Sequence, residues 1–322
     1  FRPRTEISHG YKALPANNQN ASLFTSQRTR LNFMYQNEKI KTKLVLQDVR
    51  LFGNQAQLVS NEDFATSVHE AWAEAFFNKE LSLRIGRQEL VYDISRIFGN
   101  VGWAQHARSH DLFLFKYKKN IELNLGFAFN QDANRTTNFY FGPDAYKAMQ
   151  FLWIKKSWDK LNLSFLFLNN GVSMNSFDTL GNITNQKIKY SQTFGPYFTY
   201  KTGDLKFEGN FYYQMGKTAS DMDISAYDIL LNAYYKMDKL TLGVGYELLS
   251  VNSYMDTLNK TYAFTPFYGT NHKFNGHMDY FYVGNHINSV GLSDINFTAK
   301  YKFDKSILAL QMHYFSASKE MY

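Results

Sequence analysis

Cysteine is absent from all 322 residues, which excludes a disulfide-built scaffold and any thiol-ligated metal centre. No run of about 18 apolar residues occurs, so no helix drawn from this sequence is apolar enough to cross a bilayer. Proline is scarce, with 5 in the chain, and no Pro-, Gly- or Ser-rich linker or shift of composition divides it. The expectation is one domain over residues 1–322. No glycine-rich phosphate loop stands out, since Gly243-Val244-Gly245 falls inside a strand-like run. A secretion signal is also lacking: the chain opens at Phe1-Arg2-Pro3-Arg4, already close to a strand.

What the chain has in excess is aromatic residues, 17% of the total, with 29 Phe and 23 Tyr. Mean hydropathy nevertheless stays at −0.41. These aromatics fall into alternating runs. Ile121, Leu123, Leu125, Phe127 and Phe129 alternate with Glu122, Asn124, Gly126, Ala128 and Asn130, which places the two sets on opposite faces of a strand. The runs beginning at Leu161, Leu205, Leu240 and Ile295 repeat the pattern. Between such runs stand short turns at roughly 40-residue intervals: Asn37-Glu38-Lys39, Asn78-Lys79-Glu80, Tyr117-Lys118-Lys119-Asn120, Trp158-Asp159-Lys160, Thr202-Gly203-Asp204, Met237-Asp238-Lys239 and Phe303-Asp304-Lys305. An eighth turn is expected past Tyr322, and a longer polar loop is expected opposite each turn.

A soluble sandwich alternates too. Aromatic girdles, an apolar outer belt and a wet lumen account for the composition better. The fold class is therefore an all-β, transmembrane, antiparallel up-and-down β-barrel. A strand near residues 4–12 plus seven hairpins gives about fifteen strands, the last spanning about 307–315. Bacterial single-chain barrels have even counts, so the expectation is about 16–18 strands, with one or more terminal strands beyond this chain. A barrel of this kind is exported, so an export signal is expected to have been removed ahead of residue 1.

The alternation also sorts charge. Leu31, Phe33 and Tyr35 looking outward put Arg28 and Arg30 inside. Ala71, Ala73 and Ala75 outward put Glu70, Trp72 and Glu74 inside, and Leu81, Leu83 and Ile85 do the same for Arg84. Arg87 follows Gly86, where a bulge would turn it inward, and Lys41, Lys43 and Arg50 extend the wall. A charge facing lipid at mid-membrane costs roughly 2–4 kcal/mol, which favours the inward reading. The plainer role is pairing of Arg and Glu across the lumen; the functional one is an arginine-lined constriction for anions. Net charge is +7, from 35 Lys and Arg against 28 Asp and Glu.

The stretch Gly86-Arg87-Gln88-Glu89-Leu90, then Tyr92, Arg96-Ile97-Phe98-Gly99-Asn100-Val101-Gly102-Trp103, Arg108 and Asp111 resembles the alginate-export porin family. Leu46-Gln47-Asp48-Val49-Arg50 and Val68-His69-Glu70-Ala71-Trp72 resemble its preceding segments, and the likeness is dense over residues 26–117. It implies an outer-membrane barrel of eighteen strands in the family's best-known form, with an electropositive lumen for a polyanionic sugar. It implies further that Arg84, Arg87, Arg96 and Arg108 line the constriction, with Arg28, Arg30 and Arg50 beside them. Residues 93–110 are then the inward loop, bent at Gly99 and Gly102, with Trp103 anchoring it to the wall or stacking on a sugar ring.

Other functions find less support. Ser8-His9 and His106 with Ser109-His110 bring hydrolase residue types together in sequence, where such sites are seldom made. His106 with His110, His272 with His277, and Asp221-Met222-Asp223 lack a full metal-ligand pattern, so no metal or other cofactor is expected. Nucleic acid is excluded as a partner, because the aromatics occupy the face opposite the basic residues. The reading is a passive porin in a Gram-negative outer membrane, with membrane lipid and an anionic or carbohydrate solute as partners. The alternative is a plugged barrel that partners other outer-membrane proteins, with residues 250–291 capping it.

Overall fold

The computed structural model describes residues 1–10, 13–55, 66–131, 146–181, 183–252, 259–281 and 291–318. Its first strands are β1 (Arg2–Ser8), β2 (Ser22–Gln36), β3 (Ile40–Leu51), β4 (Thr66–Phe76), β5 (Leu81–Gln88), β6 (His110–Lys118), β7 (Glu122–Phe129) and β8 (Ala148–Ser157). There follow β9 (Leu161–Phe177), β10 (Ile183–Thr202), β11 (Leu205–Lys217), β12 (Asp223–Met237), β13 (Leu240–Leu249), β14 (Lys260–Thr261), β15 (Leu292–Lys302) and β16 (Ile307–Ser316). All belong to one 16-stranded sheet. The short β14 pairs with β12 in parallel, and the others follow chain order as an antiparallel up-and-down meander.

All seven tight turns fall between consecutive strands, because each is closed by local chemistry. Asn37 Oδ1 accepts the N–H groups of Lys39 and Ile40 at 2.9 Å, and Asn78 Oδ1 those of Glu80 and Leu81 at 2.8 Å. The opposite end departs from expectation. β9 and β10, 17 and 20 residues long, run on as an extended ribbon, so the link between them is short. The first strand also begins earlier than its alternation suggested, and residues 11 and 12 lie outside the described residues.

Register aligns the apolar face. Phe115, Leu125, Leu152, Phe167, Phe194, Tyr213 and Tyr227 are successive cross-strand partners, a single row across seven strands. Phe33, Phe113 and Ile295 on this face are 55%, 52% and 55% exposed. So many large apolar side chains left open to the surroundings fit hydrocarbon and not water.

The inner face is not uniformly polar, and this corrects the simple wet-lumen picture. Leu112, Leu114, Met149, Phe151, Leu166 and Leu168 on β6, β8 and β9 are buried against Leu90, Tyr92, Ile97 and Phe98 of the β5–β6 connection. An apolar core therefore sits inside the sheet. The sheet curls around that connection, which Arg2 on β1 and Asp228 on β12 both touch.

Candidate functional site

Residues 89–109 leave β5, cross the interior and return to β6. Their bends come from residues with left-handed backbones, Asp93, Ser95, Val101 and Ala107, at φ of 50°, 65°, 50° and 59°. Gly99 and Gly102, expected to supply them, have no positive φ. Gly99 has a different purpose: a Cβ there would overlap Thr270 Oγ1. Thr270 belongs to a second inward segment, residues 259–281, and the two are knitted by backbone. Gly99 N donates to Tyr268 O at 2.8 Å, Thr270 N to Ser95 O at 2.9 Å, and Phe98 bridges Tyr268 in parallel.

The first loop is anchored to the far wall at two points. Asp93 accepts from Ser164 Oγ at 2.6 Å, Trp153 Nε1 at 3.2 Å and Tyr212 Oη at 3.4 Å. Arg96, 1% exposed, ion-pairs with Glu247 and, at 3.6 Å, with Asp228. Its Nη1 donates to Asn271 Oδ1 at 3.3 Å and its guanidinium lies 3.6 Å from the Phe274 ring. Arg96, expected to line an open constriction, is thus a buried tie between two loops and the wall.

Toward the near wall the loop's carbonyls meet three guanidinium groups. Arg2 donates to Gly102 O and Trp103 O at 2.7 Å. Arg28 donates to Ala104 O and Gln105 O at 3.3 Å, and Arg30 to Gln47 Oε1 at 2.9 Å and His106 O at 3.5 Å. The sequence reading missed Arg2, although Arg2, Arg4 and Glu6 alternate inward along β1. Arg108 donates to Gly269 O at 3.1 Å, joining the second segment. Trp103 stacks on His272 at 4.1 Å, so it anchors to the other loop and not to the wall.

Glu70, Glu74 and Arg84 face inward as read. Arg84 straddles Glu74 Oε2 with Nε at 2.9 Å and Nη2 at 2.7 Å, and lies 3.9 Å from the Trp72 ring. Lys116 donates to the same carboxylate at 2.9 Å, so two cations share one acid. Glu70 accepts from Lys43 Nζ at 2.5 Å and Trp72 Nε1 at 3.0 Å. Arg87 and Arg50 require correction. Gly86 introduces no register slip, so Arg87 pairs with Ala71 and Asp111 on the outward face and ion-pairs with Asp111 at 2.8 Å. Arg50 lies opposite Gln27, likewise outward, and is bonded to Asp48.

At the loop's root, His69 Nε2 lies 2.6 Å from Glu89 Oε1, and Ser109 Oγ lies 3.2 Å from His69 Nδ1. These are the residue types of a nucleophile relay. The hydroxyl, however, donates its proton to His69 O at 2.6 Å, so the arrangement serves as a latch. The donors of His69, Glu70 and Glu89 lie within 4.8 Å of one another, a spacing a metal ion could use. Lys43, Trp72 and Asn100 already occupy those carboxylates, and Arg30 stands 3.8 Å from Glu89, so a cation would compete with bonds in place. His272 is engaged by Asp279 at 2.8 Å, and His110 is buried against Tyr146.

Burial disfavours the charge of both loop carboxylates, with different outcomes. For Glu89 it is outweighed by His69, Asn100 and Arg30, which hold its pKa below the usual value. For Asp93 burial dominates and raises the pKa, against hydrogen bonds from Ser164, Trp153 and Tyr212.

No family model and no curated protein matches the chain. Solved structures do. OccAB4 of Acinetobacter baumannii aligns with TM-score 0.60 at 12% identity, over 97% of this chain and 80% of that one. OmpT, an outer-membrane protein of Vibrio cholerae in its trimer form, gives 0.53 at 14% identity, over 97% and 85%. Salmonella typhi OmpF in complex with daunomycin gives 0.53 at 12% identity, over 99% and 88%. The chain is thus similar in fold to outer-membrane β-barrels.

Proposed function

We propose that the chain is a passive channel in the outer membrane of a Gram-negative bacterium, carrying anionic solutes such as sugar acids or their oligosaccharides. One observation carries the anion preference. Arg2 and Arg28 hold the inward loop through neutral carbonyl oxygens, which take hydrogen bonds without cancelling the guanidinium charge, and Arg30 beside them bonds Gln47 Oε1 and His106 O. Glu89, ion-paired with Arg30 at 3.8 Å, offsets part of this positive charge and leaves the row with an excess of cations. Lumen cations of this kind attract anions and bind carboxylates with a planar fork. The motifs of residues 86–111 favour a solute of the alginate class, a polyuronate.

The test is planar-bilayer recording in a salt gradient, where a reversal potential of anion-selective sign is expected. Arg28→Gln with Arg30→Gln should move it toward zero, and an unchanged potential rejects the assignment. A second reading has its own support: the buried contacts of Leu90, Ile97, Phe98 and Phe264 fill part of the lumen, as in a plugged barrel that partners other outer-membrane proteins. Absence of stepwise conductance from correctly folded protein would select that reading.

A further inference from the structure

The second inward segment carries two imidazoles for which the channel reading has no use. His272 lies in a short 3-10 turn, Asn271–Lys273, whose start is held firmly: Arg96 bonds Asn271, and Thr270 N donates to Ser95 O. Past it the chain reverses. Asn275, Gly276 and Asp279 have left-handed backbones, at φ of 55°, 84° and 55°, and Asp279 N donates to Gly276 O at 3.2 Å. The reversal returns Asp279 to His272 and sets the His277 ring 5.5 Å from the His272 ring, centre to centre. The spacing of the two histidines along the chain is no ligand pattern by itself; the fold makes it one.

Three features suit a metal ion. His272 Nδ1 lies 2.8 Å from Asp279 Oδ2, and a carboxylate there only accepts, so Nδ1 carries the proton and the lone pair of the neutral ring is at Nε2. A carboxylate behind a histidine in this way fixes ring and tautomer and makes the other nitrogen a better ligand. The separation also fits. Two imidazoles on one tetrahedral ion, at about 2.0–2.1 Å per nitrogen, have ring centres roughly 5 Å apart. The third feature is charge: Asp279 Oδ1 is buried without a hydrogen-bond partner among the described residues, a cost that a bound cation would offset. His277 itself is exposed, so an ion reaches it from solution.

We propose that His272 and His277 form a binding site for a divalent transition-metal ion, zinc or copper, with Asp279 behind His272 and water completing the coordination. Imidazole selects these ions over magnesium and calcium, which prefer oxygen. The ion would pin the 276–279 turn to the ring on which Trp103 stacks at 4.1 Å, fastening the contact between the two inward segments. The site stands whether or not the barrel conducts.

The experiment uses the untagged full chain in detergent micelles, with Cu²⁺ as the probe and tryptophan fluorescence as the readout. Copper at His272 lies beside Trp103 and should quench it saturably. Excess Zn²⁺ should reverse the quenching, and Mg²⁺ should not. His277→Gln should abolish saturable quenching. Asp279→Asn should raise the copper concentration at half-saturation about tenfold or more. His9→Gln, in the β1–β2 connection, should change nothing. Trp103→Phe should keep copper binding by titration calorimetry while losing the saturable quenching. Heat-modifiable migration on gels confirms that each variant folds. Absence of saturable quenching in the wild type, its survival in His277→Gln or Trp103→Phe, or equal displacement by Mg²⁺ overturns the site.

Discussion

An arginine in a lumen is defined by where its hydrogen bonds go and by whether its charge is cancelled there, and these are separate questions. Arg28 spends its donors on oxygens that carry no formal charge, Arg30 is partly offset by Glu89 at 3.8 Å, and Arg96 is cancelled by Glu247 and Asp228. Arg87 and Arg50 stand outside the lumen, each paired with an acid on the outward face, Asp111 and Asp48. Exposed pairs contribute about 0–1 kcal/mol, so Arg87→Ala and Arg50→Ala should leave reversal potentials unchanged and unfolding midpoints nearly so. Glu89 gives a pH signature. Its folded pKa is lowered, so its stabilisation of the latch is complete above the ordinary glutamate value of about 4.3 and is lost as pH falls through the lowered one. Asp93 runs the other way: its raised pKa means that its charged form weakens loop docking as pH rises through that value. From the Glu89 latch, open-channel noise should stay low above the ordinary glutamate value and rise as pH falls through the lowered one, while a rise in noise with increasing pH would report Asp93. Glu89→Gln should already be noisy at neutral pH, and a quiet Glu89→Gln channel would mean that the latch does not hold the loop.

At the scale of elements, the two inward segments behave as one. Residues 95–99 and 268–270 exchange backbone hydrogen bonds, and Arg96 fastens both to β12 and β13. Arg96→Ala would leave two buried acids without their cation, a loss of about 3–5 kcal/mol to loop docking. The expected result is larger and noisier conductance with selectivity shifted toward cations, as Asp228 and Glu247 become accessible. Bilayer recording against wild type checks both. The strands themselves were legible because a two-residue period and Asx-closed turns are local, and each of the seven turns falls where its residues say. The loop's contacts were not, because Arg96 finds its acids on strands far along the chain. A local sign of the plug did exist: Phe165-Leu166-Phe167-Leu168 is apolar on both faces, so its inner face needed a partner other than water. Arg87 was misplaced because a glycine next to it suggested a bulge, while the unbroken ladders of β5 to β4 and to β6 keep its parity.

For the whole molecule, the governing fact is that large apolar side chains cover the outside while the interior holds both an apolar plug and a set of buried charged groups. A water-soluble sheet would reverse that distribution. The apolar row from Phe115 to Tyr227 crosses seven strands with no charge in it, as a hydrocarbon-facing belt requires. Phe167 sits in the middle of this row, between Leu152 and Phe194, and is 38% exposed. Replacing it by Arg puts a guanidinium where no acid or water can reach it. In lipid vesicles, reversible denaturant unfolding of Phe167→Arg should show a loss of about 2–4 kcal/mol. Leu161→Arg, on the same face but beside the β8–β9 turn at the membrane edge, should lose no more than about 1 kcal/mol. The contrast between the two sites is what matters, since a depth-dependent penalty arises only if the row lies in lipid. Equal and small losses would mean that this face meets water, and the proposed channel would then have no bilayer to cross.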